Sequence, residues 1–280
     1  FFRSCSCGSF LTDAQKDEQN QQQITESKVN DSNKIRQILD ISKTSPNKIA
    51  TPTKTILNAI HRKGAGVYLT AGDKGEVWVT PNGGLNWIQG KGTGQENLYG
   101  VAVLSFDVMI AVGNKGTIIR STDKGLNWVS INSGTVKDLR SVSFPEINTG
   151  FAVGLDGTIL KTVDSGTTWN TIPFAPSTVN INSVCFIDIN TGWFAGKGGA
   201  LYKSVNGGVS WINLDSSNII PNNDLNSISF SSLLRGTAVG ESGIILNTTN
   251  GGTTWIQTLP VSAFDLKSVH RVNNLLSYIV

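Results

Sequence analysis

The sequence contains five copies of one eight-residue pattern, which we call the turn box. In it, Ser or Thr is followed by Asp or Asn at the third position, Gly at the fifth and Trp at the eighth. The copies are TPNGGLNW from Thr80, STDKGLNW from Ser121, TVDSGTTW from Thr162, SVNGGVSW from Ser204 and TTNGGTTW from Thr248. Their tryptophans are spaced by 41, 41, 42 and 44 residues. A constant period of this size predicts stacked copies of one supersecondary unit.

The register extends well beyond the box. Each Trp is preceded by a Gly at fifteen residues, and that Gly by an aliphatic residue at a further fifteen. These leading aliphatic residues are Leu57, Leu98, Leu139, Ile181 and Leu225. A sixth unit begins at Leu266, where LKSV matches LRSV at 139 and LNSI at 225. We therefore expect residues 56–280 to hold five complete repeats and part of a sixth, with the chain truncated inside that sixth repeat.

Each unit divides into four short β-like segments, which in the third unit are LRSVSF, TGFAVG, GTILKT and TTWNTI. Repeats of about 40–45 residues with four strands are typical of β-propeller blades. The sequence thus predicts an all-β propeller of four-stranded antiparallel blades. Small residues recur two places after each leading aliphatic residue, so we expect the first strand to be innermost. They are Ala59, Gly100, Ser141, Ser183, Ser227 and Ser268.

The turn box falls between the third and fourth strands, where a hairpin turn is required. Its polar residue can accept hydrogen bonds from nearby backbone N–H groups, its Gly permits a positive φ, and its Trp can be buried between blades with its N–H paired. We interpret these residues as structural and expect no catalytic residue among them. They are Asn82, Gly84, Trp87, Asp123, Gly125, Trp128, Asp164, Gly166, Trp169, Asn206, Gly208, Trp211, Asn250, Gly252 and Trp255.

Residues 1–55 differ from the rest, since DAQKDEQNQQQITESKVNDSNK is polar and lacks aromatic residues. Such composition predicts a largely disordered tether. The preceding FFRSCSCGSF resembles the end of a bacterial lipoprotein signal, which implies lipidation of Cys5 or Cys7. The alternative is an unstructured end with two incidental thiols. We expect Cys185, in the apolar run SVCFI, to pack as a small hydrophobic residue.

The units resemble the Asp-box (bacterial neuraminidase) repeats of sialidases, sortilin-type receptors and certain glycoside hydrolases. The combination LxxVxF, GxAVGxxGxIL and turn box, across residues 57–280, is similar to the photosystem II assembly and stability factor family. That resemblance implies a seven-bladed, non-catalytic propeller that binds a photosystem II reaction-centre subunit. It also implies an extracytoplasmic location in the periplasm, the thylakoid lumen or at the cell surface. The lipid at Cys5 or Cys7, which the lipoprotein-like start implies, is the one expected link to a membrane.

Two other functions remain open from sequence: a glycan-acting enzyme such as a sialidase, and a cell-surface adhesion or structural propeller. A sialidase would need an arginine triad and a Tyr–Glu pair, but the propeller arginines are scattered across the units. They are Arg62, Arg120, Arg140, Arg235 and Arg271. We expect no cofactor, metal or small-molecule substrate, and the formal net charge of +3 gives little reason to expect nucleic-acid binding. His61 and His270 share a register, for which a shared metal is the less favoured interpretation.

Two features are candidates for partner binding. Arg140 and Lys267 both stand one residue after a leading aliphatic residue. Length variation between units falls in the blade-to-blade loops, and the longest of these, NLDSSNIIPNND at 213–224, contains Ile219 and Ile220. Variation confined to one face of a repeat protein often marks its binding face.

Overall fold

The computed structural model describes residues 55–64, 66–176, 178–214, 222–258 and 264–280. These residues belong to a unit that spans Thr53–Val280. They form five four-stranded antiparallel sheets and one two-stranded sheet, which confirms five complete blades and part of a sixth. No helix in these ranges is long and apolar enough to cross a membrane.

The strands follow one another in chain order within each blade. Blade 1 contains β1 (Leu57–Lys63), β2 (Val67–Gly72), β3 (Val77–Thr80) and β4 (Ile88–Gln89). Blade 2 contains β5 (Leu98–Val103), β6 (Met109–Gly113), β7 (Ile118–Ser121) and β8 (Val129–Ile131). Blade 3 contains β9 (Leu139–Ser143), β10 (Gly150–Gly154), β11 (Ile159–Thr162) and β12 (Asn170–Thr171).

The later blades repeat this order. Blade 4 contains β13 (Ile181–Phe186), β14 (Gly192–Gly196), β15 (Leu201–Ser204) and β16 (Ile212–Asn213). Blade 5 contains β17 (Leu225–Phe230), β18 (Gly236–Gly240), β19 (Ile245–Thr248) and β20 (Ile256–Thr258). The partial blade 6 contains β21 (Val269–Arg271) and β22 (Ser277–Ile279). One-turn 3₁₀ segments join the second and third strands of the complete blades: Asp73–Gly75, Asn114–Gly116, Leu155–Gly157, Lys197–Gly199 and Glu241–Gly243.

The apolar cores lie at the seams between blades, so each sheet contributes both of its faces. The seam between blades 3 and 4, for example, joins Phe151 and Ile159 of one blade to Ile181 and Phe194 of the next. Four further buried clusters repeat this arrangement from blade 1 to blade 6. Successive residues of a strand face opposite sides of the sheet. Burial of both sides therefore explains why successive residues of β3, β7 and their counterparts are apolar.

In the four seams between blades 1 and 5, the apolar cluster includes the box Trp of the second of the two blades. Trp128, Trp169 and Trp255 are buried there, whereas Trp211 is half-buried. Trp128 and Trp169 donate their Nε1–H to the carbonyls of Gly125 and Gly166 at 2.9 and 3.2 Å. The expectation of a paired N–H is wrong for Trp211 and Trp255, whose Nε1 atoms are buried without a partner.

A phenylalanine at the end of the first strand packs edge-on against the box Trp in blades 3 to 5. The Phe144–Trp169 centroids, for instance, are 5.9 Å apart with an interplanar angle of 88°. The ring of this Phe covers a glycine at the start of the second strand: a Cβ on Gly150 would lie 2.4 Å from Phe144. The glycine is therefore required by the close approach of the ring.

The first strands carry side-chain acceptors that bind the backbone of the next blade. Val184, Ile228 and Val269 donate their N–H groups to Ser141, Ser183 and Ser227 at 3.1–3.2 Å. The small size of these residues predicts an innermost strand. The structure adds a second reason, because an edge strand has unpaired N–H groups that need acceptors.

A second set of acceptors stands two residues further along the same strands. Ser143 and Ser229 accept from Phe186 N and Arg271 N, both at 3.0 Å. His61 Nδ1 accepts from Val103 N at 3.1 Å. Cys185 occupies the same register, where burial raises the pKa of its thiol to about 11. It packs against the seam between blades 4 and 5, as a small hydrophobic residue would.

We predict that Trp169→Ala lowers the free energy of unfolding by about 3–5 kcal/mol, because it removes a large ring from a closed seam. Trp87 provides the matched control, since it is half-buried and belongs to no described seam cluster. Trp87→Ala should cost clearly less. Urea denaturation followed by circular dichroism measures both changes, and equal losses would contradict the wedge role of the seam tryptophans.

We further predict that stability falls as the pH drops from 6.5 towards 4, in part through His61. The residue as a whole is exposed, but its ring lies among protein atoms. Desolvation of the ring lowers the pKa of His61 to about 4, and the charges of Lys63 and His270 lower it further by smaller amounts. As the pH falls, His61 binds a proton in the unfolded chain before it does so in the folded protein. The contribution of His61 to stability is therefore fully present above pH 6.5 and is lost as the pH falls towards 4.

The check is the pH dependence of the urea midpoint in wild type and His61→Gln. The variant should lose less stability than wild type between pH 7 and pH 4. Identical pH profiles would show that His61 does not contribute.

Candidate functional site: the axial channel

The first strands of the six units surround a cavity of about 600 Å³. The expectation that these strands are innermost therefore matches the structure. The residue that follows each leading aliphatic residue lines the cavity, and we call this set the channel mouth. Its members are Asn58, Tyr99, Arg140, Asn182, Asn226 and Lys267.

Three asparagines of the channel mouth hold neighbouring blades together. Asn58, Asn182 and Asn226 donate their side-chain N–H to the carbonyls of Leu98, Leu225 and Leu266 at 2.9–3.0 Å. In the sequence, Asn182 and Asn226 interrupt the register that Arg140 and Lys267 share. The structure shows that they are inter-blade straps, because the carbonyl at the start of each next first strand lies within reach.

Arg140 lies beside Tyr99, and these two residues replace the asparagine strap in adjacent blades. The guanidinium carbon is 4.6 Å from the Tyr99 ring centroid, which is a cation–π geometry. Nη2 is 3.6 Å from Asp138 Oδ2, and the Arg140 side chain remains 36% exposed. Nε is buried without a partner. The Tyr99 ring therefore covers one side of the guanidinium, while the exposed part of the side chain lines the cavity.

Lys267 is the second cation of the channel mouth. Its Nζ donates to Asp265 Oδ2 at 3.0 Å, and hydrogen bonding to Lys267 holds the pKa of that carboxyl below its usual value. The two side chains are 69% and 43% exposed. Exposed ion pairs of this kind contribute little to stability, so the ammonium can exchange Asp265 for another anion at small cost.

Residues just before the leading aliphatic positions fix the ends of the blades around the channel mouth. Asp138 Oδ1 accepts from Lys115 N of the preceding blade at 2.9 Å. Asp265 Oδ1 accepts in the same way from Ser242 N at 3.1 Å. Each carboxylate therefore uses Oδ1 for a backbone N–H group and Oδ2 for Arg140 or Lys267.

His270 lies close enough to His61 for its charge to contribute a little to the lowered pKa of His61. His61 Nδ1 is occupied by the Val103 N–H, which removes one nitrogen from metal binding. Among the described residues, no group of three or more His, Cys, Asp or Glu side chains is arranged to hold a metal ion.

The turn boxes lie outside the channel, and their polar atoms bond within the turn. In the third box, Gly166 N donates to Thr162 Oγ1 at 3.0 Å and Thr162 Oγ1 donates to Asp164 Oδ1 at 2.8 Å. Thr168 N donates to the same carboxylate oxygen at 2.8 Å. This donor lies four residues after the acceptor. The same bonds recur at Asn82, Asp123, Asn206 and Asn250.

These bonds keep the box carboxylates ionised. The Asn127 backbone and side-chain N–H groups hold the pKa of Asp123 below its usual value. For Asp164, desolvation opposes the shift, and the bonds from Thr168 and Thr162 outweigh it. An ionised carboxylate that is already used by a turn is a poor general acid.

Four sequence candidates lie outside the described residues: Cys5, Cys7, Ile219 and Ile220. Tyr99 was missed as a site residue. Its signal was present in the sequence, since it stands one repeat before Arg140 in a register that otherwise holds only asparagines and cations.

Comparison with known proteins places this geometry in a family. The family model described as "Photosynthesis system II assembly factor YCF48" matches residues 121–274. No curated protein sequence matches the chain.

Comparison with solved structures gives further matches, all of them at low sequence identity. One described as YCF48 bound to D1 peptide is 15% identical, with a TM-score of 0.48, and 81% of this chain and 89% of that chain are covered. YCF48 from Cyanidioschyzon merolae is 17% identical, with a TM-score of 0.50 and coverage of 83% and 94%. An ancestral GH74 enzyme is 20% identical, with a TM-score of 0.63 and coverage of 76% and 32%.

The last two likenesses concern the propeller fold alone. The family model, in contrast, spans more than half of the 280 residues, and its repeats are those described above. The protein therefore belongs to the photosystem II assembly factor YCF48 family of Asp-box propellers.

Proposed function

We propose that this protein is a non-catalytic propeller that binds an anionic segment of a photosystem II reaction-centre subunit at the channel mouth. Membership of the assembly factor family supports the class of partner. The observation that carries the binding site is the Arg140 guanidinium, which lies over the Tyr99 ring at the cavity and belongs to a side chain that is 36% exposed.

The chemistry of the channel mouth favours an acidic partner. Arg140 and Lys267 line the same cavity, and none of its lining residues is Asp or Glu. A guanidinium fixed on an aromatic ring loses little conformational freedom when it binds a carboxylate, so its hydrogen bonds give more net affinity. Carboxylate side chains or a chain terminus of the partner would satisfy these donors.

A glycan-acting enzyme is the less favoured alternative. Glycoside hydrolysis ordinarily requires two carboxyl groups that flank one bond. The residues that line the described channel supply none, and the box carboxylates are used by their turns. The likeness to the GH74 enzyme is one of fold.

We place the protein outside the cytoplasm, in the periplasm, the thylakoid lumen or at the cell surface, as the family's association with photosystem II suggests. The structural role of the turn boxes is part of the same proposal: they close the outer hairpins of each blade and touch no substrate. The lipid anchor at Cys5 or Cys7 and the contact loop at Ile219 and Ile220 stay hypotheses about residues that the structure does not describe.

The test is binding of a fluorescent D1 peptide, chosen because a solved YCF48 is described with one bound. Arg140→Gln should weaken binding by about tenfold or more, since hydrogen bonds to charged groups contribute about 1.5–3 kcal/mol. Lys267→Gln should weaken it less, because the Lys267 ammonium is more exposed. Wild-type affinity should fall with added salt.

Lys91→Gln serves as the matched control, since Lys91 is exposed and does not line the channel. It should bind like wild type. Unchanged binding by Arg140→Gln would refute the proposed site. Hydrolysis of xyloglucan or a sialoside by the purified wild type, lost on a change in the channel lining, would favour the enzyme alternative.

A further inference from the structure

The outer part of three seams is closed by a basic side chain from the third strand. Arg120 Nε donates to Ser165 O of the next blade at 2.9 Å. Lys161 Nζ and Lys203 Nζ donate to the corresponding carbonyls of Gly207 and Gly251 at 3.1 and 3.0 Å. Each side chain reaches across the seam and fills the space under the neighbouring turn box.

The seam between blades 1 and 2 lacks this closure. Val79 occupies the register of Arg120, and the equivalent carbonyl across the seam belongs to Lys124. Valine is short and carries no donor, so the space that the basic side chain fills elsewhere is open here. The structure contains a groove of about 270 Å³ at this place, which we call the seam groove.

The seam groove is apolar with one cation at its rim. Met109 and Val79 form its floor and are almost completely buried. Ile88, Phe106 and Leu126 form the walls, and each leaves about two fifths of its surface exposed, at 41%, 45% and 41%.

The cation of the seam groove is Lys124. Its Nζ lies 4.8 Å from the centroid of the Phe106 ring, so it is held beside the opening. None of the residues that line the groove is acidic. An anion beside the opening therefore meets one positive charge and no negative charge from the lining.

Size and charge together restrict the occupant. Pockets for whole drug-sized ligands are typically about 300–1,000 Å³, and this one is smaller. A single aliphatic or aromatic side chain fits better, with its backbone outside the opening. An acidic neighbour on that segment would meet Lys124 Nζ.

We propose that the seam groove binds one large apolar side chain of a partner protein segment, with a carboxylate next to it in sequence. The groove lies at the turn-box end of the strands, whereas the channel mouth lies at the opposite end, where the first strands begin. The two sites are therefore separate, and the binding test for one proposal can fail while the test for the other succeeds.

Met109 offers a direct readout because it is the only methionine in the chain and lies on the groove floor. In protein labelled with ¹³C at the methionine methyl, one resonance reports the groove. The probes are the peptide acetyl-Gly-Gly-Leu-Asp-Gly-amide and two relatives in which Ala replaces Leu or Lys replaces Asp.

The Leu-Asp peptide should shift the Met109 resonance in a saturable way. The Ala peptide should bind at least about tenfold more weakly, because it buries several fewer methyl and methylene groups. The Lys peptide should also bind more weakly, since it places a like charge beside Lys124. A resonance that does not move, or that responds equally to the Leu and Ala peptides, would overturn the proposal.

Val79→Lys should restore the closure found in the other seams and abolish the response. Val129→Lys is the matched control, because it adds the same side chain at a valine that is 60% exposed and outside the groove. It should respond like wild type. A folded Val79→Lys protein that still responds would contradict the proposal.

Lys124→Asn keeps the test decisive if Val79→Lys does not fold. Lys124 has a φ of 67°, which Asn tolerates better than most residues. This variant should bind the Leu-Asp and Leu-Lys peptides with similar affinity. If this variant still binds the Asp peptide more tightly than the Lys peptide, Lys124 does not bind the carboxylate. That result would contradict the proposed pairing of Lys124 with an acidic residue of the partner.

Discussion

The inner edge strand of every blade presents backbone N–H groups that no strand pairs, and the fold depends on how these are satisfied. In a sandwich or an open sheet such an edge is left to solvent or covered by a loop. Here the side chains of the preceding blade accept the bonds, with Ser141, Ser183 and Ser227 at one level and His61, Ser143 and Ser229 at the next. The blades are consequently joined by hydrogen bonds at the axis and by apolar packing further out.

This arrangement determines where function can reside. The axis is already occupied by inter-blade hydrogen bonds in most blades, so a polar side chain there that makes no inter-blade hydrogen bond is an exception. Arg140 is such an exception, because blades 2 and 3 lack the asparagine strap and place Tyr99 and a guanidinium in its position. Val79 is a second exception, at the periphery, where a missing basic side chain leaves a groove. In both places the candidate site arises from departure from the repeat.

Much of the fold followed from the sequence because a propeller repeats one physical solution. The interval between tryptophans and the glycines at constant offsets were enough to place four strands in each unit and the apolar cores at the seams. The partners of the repeated polar residues could not be foreseen. Ser141 looked small, and nothing in its own unit indicates that it accepts from Val184 in the next one. Trp211 and Trp255 show the reverse, since a buried indole suggested a partner that these two do not have.

The pairing of phenylalanine with glycine in blades 3 to 5 bears on how such repeats diverge. A Cβ on Gly192 would lie 2.5 Å from the Phe186 ring, and one on Gly236 would lie 2.4 Å from Phe230. In blade 2 the same two places hold Val103 and Met109, a smaller and a larger residue. Both the Phe–Gly pair and the Val–Met pair fill the volume. A Phe–Met pair would produce a clash, and a Val–Gly pair would leave a void. A substitution at only one of the two places is therefore disfavoured, and the two positions should tolerate change only together.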